Sequence, residues 1–251
     1  MYGVVVATTA HSRRRSLLRI LGRLVVALAG IVVLLALASA IYLFTLPGVG
    51  NAPSRVRAIL AQHHESTAPL PAPRRLVAAV VSTEDEHFYD NVVINVLSGA
   101  GRAALATLQA EGDPGGSTID QQLAKNLYGR QGGVLGTLRE IGLGVKLALN
   151  YSKPQMIQMY LNSVYYGNGY WGVTAAARGY FHTEPQDLTW GEAAMLAGLL
   201  QAPSAYDPET DYALGRTRQQ HVLSQLVVNH YLSRAQARTA FAAGLPLRRR
   251  P

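Results

Sequence analysis

Residues Leu24 to Leu46 form a run of 23 residues without a charge, rich in Leu, Val and Ala. As a helix that run is roughly 35 Å long, enough to cross a hydrocarbon core with some tilt. Arg13, Arg14, Arg15, Arg19 and Arg23 precede it. The positive-inside rule then puts the N-terminus in the cytoplasm and everything after Pro47 on the outer face of the membrane. Ala38-Ser39-Ala40 also resembles a cleavage site, so a removed signal peptide is the competing reading. The apolar run continues through Ile41-Tyr42-Leu43-Phe44, beyond the ~7–15 residues of a signal core, and this favours the anchor. Both readings export the globular part of the chain. No second apolar run of comparable length occurs, so the chain is expected to be single-pass at most.

The organisation read from this is a basic tail over 1–23, a transmembrane anchor over 24–46, a linker and membrane-proximal segment over 47–73, and one globular domain over 74–251. About 200 residues outside the tail and span suffice for a sizeable core. The sequence has no cysteine, which excludes disulfides and thiolate metal sites. Its net charge of +8 is concentrated at the two ends, in the N-terminal arginines and Arg248-Arg249-Arg250. Such clusters fit lipid headgroups better than nucleic acid, which an exported domain does not meet. Apolar residues recur at three- and four-residue spacings and alternating strand patterns are rare, so the domain is expected to be mainly α. Helices are expected over about 54–64, 74–86, 94–109, 118–128, 138–150, 153–164, 172–180, 189–200, 216–231 and 233–243, with Gly-rich loops at 112–116 and 129–136. The apolar segment Val92 to Leu108 is read either as dipping into lipid or as an ordinary buried helix.

The stretch Gly115 to Leu127, GGSTIDQQLAKNL, packs polar groups where an ordinary amphipathic helix needs none. Ser117 or Thr118 can cap a helix, Gly115 and Gly116 let a backbone approach a ligand, and a helix N-terminus with free N–H groups favours an anion. Lys125 extends that positive site about two turns on, and Gln121 and Gln122 add amides suited to a polyhydroxylated substrate. The bland alternative is a well-capped surface helix. The chain has 15 acidic residues. Glu84-Asp85-Glu86 ends a stretch that is apolar from Leu76 to Val81, and Glu140 opens the apolar run Ile141 to Val145. Carboxylates in such settings are candidates for acid–base chemistry, against the alternatives of a solvated helix end and a favourable first-turn charge.

Taken in order, Glu84-Asp85-Glu86-His87-Phe88, Gly115 to Leu127, Arg139-Glu140, Tyr151-Ser152-Lys153 through Tyr160-Leu161-Asn162 to Tyr166-Gly167, and Gly172 to Ala177 with Tyr180-Phe181 resemble the motifs of glycosyltransferase family 51. These are the peptidoglycan glycosyltransferases, here of the monofunctional biosynthetic type. The resemblance spans about Leu76 to Ala243. It implies a two-lobed, lysozyme-like, mainly α fold. It also implies polymerisation of lipid II into glycan strands, with inversion and release of undecaprenyl diphosphate. Glu84 matches the general base, and Glu140 the second glutamate, which helps the diphosphate leave by proton donation or by holding a metal ion. Gly116, Ser117, Thr118, Gln121, Gln122, Lys125 and Asn126 match cleft residues, and Phe88, Arg130 and Arg139 are further candidates for substrate contact. A divalent cation, Mg or Mn, is a candidate cofactor, with Glu140 or Asp85 as its ligand. The implied partners are lipid II, the growing strand, membrane lipids, and transpeptidases or other cell-wall synthases. No residue up to Pro251 supplies a transpeptidase, so cross-linking is expected from another protein.

The chain departs from the family pattern at five positions. Asn91 and Val93 stand where the first motif usually closes with His and Gly, and Gly136 and Thr137 where an Arg-Lys pair usually precedes the second glutamate. Arg130, Arg139 and Lys146 are the substitutes at hand. Asp120 replaces a Thr, adding repulsion on the order of 1 kcal/mol towards a diphosphate unless a metal or Arg neutralises it. These departures sustain a second reading, a catalytically weak membrane scaffold that binds lipid-linked precursors or synthases. A third, a lysozyme-like hydrolase or lytic transglycosylase, has no use for a diphosphate site.

Overall fold

The structure, a computed structural model, describes residues 5–67, 71–90 and 117–247. The chain divides into two compact units, Met1–Pro47 and Gly48–Pro251. The first is one helix, α1 (Val5–Thr45), 41 residues long. Its segment Ile20–Thr45 is the one stretch among the described residues long and apolar enough to cross a membrane, and none of it is buried. A helix this apolar and this exposed fits a membrane anchor. The helix also continues upstream, through residues read from sequence as a separate tail.

The second unit is helical throughout its described part, with one isolated antiparallel bridge, Tyr165 to Trp171, in place of any strand. Its first helix, α2 (Ala52–Gln62), has Pro in its first turn, where the missing N–H costs nothing. It buries Val56 and Leu60 and packs on the helix α6 (Lys153–Ser163). Val49, Ala52, Val56 and Leu60, in a stretch expected from sequence to be a linker and membrane-proximal segment, thus place an apolar face on the core of the second unit.

Helix α3 (Arg74–Glu84) is capped by extended Pro73 and ends at Glu84, two residues earlier than expected, where Asp85 turns extended with φ −160°. Leu76, Ala79 and Val80 are fully buried, and the helix packs against α8 (Trp190–Leu199) and α9 (Tyr212–Val228). All of α8 except its first residue is buried, as befits a helix that is apolar around its whole circumference. Its one acid, Glu192, closes a capping box with Thr189. The short helix α10 (Arg234–Ala242) lies against α9.

Helix α4 (Ile119–Tyr128) packs between α5 (Gly133–Asn150) and α6 (Lys153–Ser163), while α7 (Gly172–Phe181) lies against α6. Helix α5 begins five residues before the expected Leu138. Gly133 supplies a φ of +73°, and at buried Gly136 a Cβ would lie 1.9 Å from the Gln131 carbonyl oxygen. The Gly-rich stretch is thus partly helix, and Gly136 serves a backbone contact too close for any side chain. The expected helix over 94–109, the apolar segment 92–108, Asn91, Val93, Gly116 and the closing arginines lie outside the described residues.

Candidate active site

Glu84 is the last residue of α3, and its side chain is only 12% exposed. Gln122, in the first turns of α4, donates from Nε2 to Glu84 Oε2 at 3.2 Å and to the Ser117 carbonyl at 3.3 Å. The Gln122 amide is itself fixed, because Tyr160 on α6 donates its hydroxyl proton to Oε1 at 2.6 Å. Burial, and secondarily the charge of Glu84, push the Tyr160 hydroxyl well above its usual range, so it remains an O–H donor. On the other side, the Arg218 guanidinium of α9 lies 3.7 Å from Glu84 Oε1. Four helices therefore converge on one carboxylate. Arg218 carries no signal in the sequence, since nothing in a helix 134 positions downstream marks which of its arginines turns inwards.

Asp85, the next residue, has the opposite fate. It is buried, and its Oδ2 accepts the Ile119 N–H at 3.1 Å, so it caps α4 from outside the helix. Thr118 accepts the Gln121 N–H at 3.3 Å, and the Gln121 side chain returns to the Thr118 N–H at 3.2 Å, completing a capping box. Thr118 and Gln121, expected from sequence to face a ligand, are buried and close this cap. The N-terminus of α4 is also no open anion site, because Asp85 and Thr118 already take two of its N–H groups and the Asp120 carboxylate stands beside them.

Asp120 is buried, and Lys153 Nζ lies 3.0 and 2.9 Å from its two oxygens. Burial raises its pKa, while the ammonium opposes that rise and the charge of Asp85 adds to it. The residue that neutralises Asp120 is therefore Lys153, not a metal or an arginine. The same ammonium stands 4.4 Å over the ring of Phe88, which is fully buried. Phe88 is a floor for this pair rather than a substrate contact.

Helix periodicity then orders the rest. Gln122, Lys125 and Asn126 share one face of α4 at i, i+3 and i+4 spacing, so Lys125 and Asn126, both half-buried, continue the face that meets Glu84. Helix α5 runs antiparallel along α4. Arg139 donates to the Tyr128 and Gly129 carbonyls at 3.2 and 3.5 Å, and a Cβ on Gly144 would lie 3.2 Å from the Asp120 backbone. Glu140, half-buried between these two contacts, is level with about Asn126, one turn or roughly 6 Å along the axis from Gln122. Glu84 thus meets α4 at Gln122, and Glu140 lies on the helix packed along α4. Arg139 is at the far end of that helix, tied to its last carbonyls with Arg55, which donates to Leu127 O at 3.0 Å. Arg130 is exposed.

A divalent cation needs several converging oxygen ligands. Among the described residues no three Asp, Glu or His side chains converge, Asp85 is committed to Ile119 and Asp120 to Lys153. Among the described residues these side chains form no ready-made cluster for a metal. A cavity of about 180 Å³ between α2 and α6, lined by Val56, Leu60, Met159 and Asn162 among others, holds none of the acids.

The model of the family described as Transglycosylase matches residues 53–227, most of the globular unit. Among proteins of known name, the chain is 40% identical over 164 residues to penicillin-binding protein 2a of Streptococcus pneumoniae, covering 65% of this chain and 22% of that one. It is 34% identical over 187 residues to penicillin-binding protein 1F of Bacillus subtilis, covering 74% and 26%. To a Cupriavidus necator protein named "Putative transglycosylase" it is 37% identical over 177 residues, covering 70% and 76%. The chain thus spans about a quarter or less of the penicillin-binding proteins and most of the third relative.

Proposed function

The chain belongs to the transglycosylase family, that of the peptidoglycan glycosyltransferases, and from that premise we propose that it polymerises lipid II into glycan strands at the outer face of the membrane. The observation that carries this reading is Glu84, a half-buried carboxylate oriented from three other helices on the face that Lys125 and Asn126 continue. In the proposed reaction the C4 hydroxyl of the GlcNAc of one lipid II attacks C1 of the MurNAc at the reducing end of the growing strand. Glu84 takes the hydroxyl proton as the new C–O bond forms. The bond to undecaprenyl diphosphate breaks with inversion, and Glu140, level with Asn126, delivers a proton to the departing diphosphate oxygen. Lys125 is the cation on this face that stabilises the charge left behind. Gln122 holds Glu84 in line with the attacking hydroxyl, and Ser117 borders the same end of the helix.

Helix α1 anchors the enzyme in the plane of its lipid substrate, with the N-terminal arginines on the cytoplasmic side. Transpeptidases or other cell-wall synthases are the partners that would use the strand. The scaffold reading rested partly on Asp120 and on the Gly136-Thr137 pair. Asp120 is neutralised internally by Lys153 and so does not argue against turnover, while Gly136 fills a contact that no side chain enters.

The test is conversion of labelled lipid II to glycan by the full chain in detergent. Glu84→Gln is expected to lower the rate by about 10²–10⁴ and Glu140→Gln to reduce it strongly. A wild-type protein that makes no glycan across detergents and added metals would overturn the function.

A further inference from the structure

Resting on the reading of Glu84 as the base, we propose that Arg218 is a positioning residue that keeps Glu84 ionised, while Tyr160 acts through Gln122 to keep the proton-accepting carboxylate aimed. A general base works only in its deprotonated form, and an apolar helix such as α3 disfavours that form by desolvation. A guanidinium 3.7 Å from Oε1 counters this with a charge that does not itself titrate. The separation is longer than a charge-assisted hydrogen bond, so the cation stabilises the charge without donating a short hydrogen bond to Oε1.

The surroundings make Arg218 a fixed group rather than a passing surface side chain. It is 12% exposed, its Nε donates to the Gly198 carbonyl at 3.4 Å, and its guanidinium lies 5.7 Å from the centre of the Tyr206 ring. Gly198, near the end of α8, makes room for its stem, since a Cβ there would lie 2.9 Å from Arg218 Cγ. The cation thus also sits at the negative end of the α8 dipole.

The described groups that the neighbouring helices bring near Glu84 are neutral, acidic or engaged elsewhere. From α4 comes the neutral Gln122 amide, and from α6 the Tyr160 hydroxyl, which stays protonated. Asp85, next in the chain, is bound to the Ile119 N–H and adds negative charge. Glu192, the acid of α8, is closed in its cap with Thr189. On α9, Arg216 reaches Gln219 and the Phe241 carbonyl. His221 is pushed towards its neutral form by partial burial and by Arg218 itself.

The experiment compares pH–rate profiles of lipid II polymerisation for the wild type, Arg218→Gln and Arg218→Lys, in the full chain in detergent. Removing the charge disfavours the carboxylate, so the acid limb in Arg218→Gln moves to higher pH. The rate at acidic pH relative to the neutral plateau falls roughly tenfold. Arg218→Lys keeps the limb near that of the wild type. An acid limb that stays in place in Arg218→Gln, or moves as far in Arg218→Lys, overturns the assignment. Should Arg218→Gln fail to fold, Gly198→Ala displaces the guanidinium without deleting it and must move the limb in the same direction.

A second readout needs no turnover. The carboxyl carbon of Glu84, in glutamate-labelled protein and identified by its loss in Glu84→Gln, must titrate at higher pH in Arg218→Gln than in the wild type. Inactivity on lipid II alongside that shift defeats the polymerase reading and leaves Arg218's effect on Glu84 standing. Activity without the shift does the reverse.

Discussion

Asp120 in the first turn of α4 and Glu84, which meets that helix at Gln122, each stand beside a cation from another helix. The Asp120–Lys153 pair is tight, with both carboxylate oxygens within 3.0 Å of Nζ and the acid 4% exposed. The Glu84–Arg218 pair is looser, at 3.7 Å with both side chains 12% exposed, and its carboxylate also takes an amide from Gln122. The first arrangement neutralises a charge inside the fold. The second keeps a charge available at its edge. A carboxylate closed around by an ammonium on both oxygens is a poor base, whereas one steadied at a distance keeps its capacity to accept a proton. Under the proposed mechanism that contrast separates the structural acid from the base.

The largest effect that tests the contrast falls on the closed pair. Lys153→Met leaves Asp120 buried without its cation and is expected to lower stability by about 3–5 kcal/mol. Replacing both partners, as in Asp120→Thr with Lys153→Met, should recover most of that loss. Denaturant unfolding of the detergent-solubilised chain measures both, and equal losses in the single and double variants would break the comparison. Next in size is the cap that seats α4 between the two pairs. Thr118→Ala is expected to cost about 1 kcal/mol, read in the same unfolding curves, with polymerisation reduced only as far as α4 shifts. A loss of activity without a loss of stability would return Thr118 to the substrate side. The smallest effect is Tyr160→Phe, which removes the hydroxyl that orients Gln122. The polymerisation rate should fall about five- to tenfold, the worth of roughly one hydrogen bond, with the acid limb of the pH profile in place. Should that limb move as it does for Arg218→Gln, the separation of charge from orientation around Glu84 would have to be redrawn.

Much of the site is legible in the order of residues. Glu84 stands out as a carboxylate closing an apolar stretch, Glu140 as one opening another, and Thr118-x-x-Gln121 carries the spacing of a capping box. The same local signal, Ser or Thr followed three residues on by Glu or Gln, recurs at Ser152, Thr189 and Ser233, and each of these starts a helix. What the order of residues leaves open is direction in space. Gln121 and Gln122 are adjacent and chemically identical, yet one closes a cap and the other holds Glu84, because successive helical residues point about 100° apart. Asp120 reads as a flaw in a phosphate site until Lys153, 33 residues later, is seen to hold it.

The sequence by itself determined the apolar helix before the domain, the helical periodicity, the caps and the two acids, because these depend on residues a few positions apart. The tertiary structure alone decided which acid is closed and which is kept accessible, since Lys153, Tyr160 and Arg218 reach α4 and Glu84 from helices distant in the chain. Local pattern fixes what each helix is, and only packing fixes which side chains share a neighbourhood and therefore a charge state.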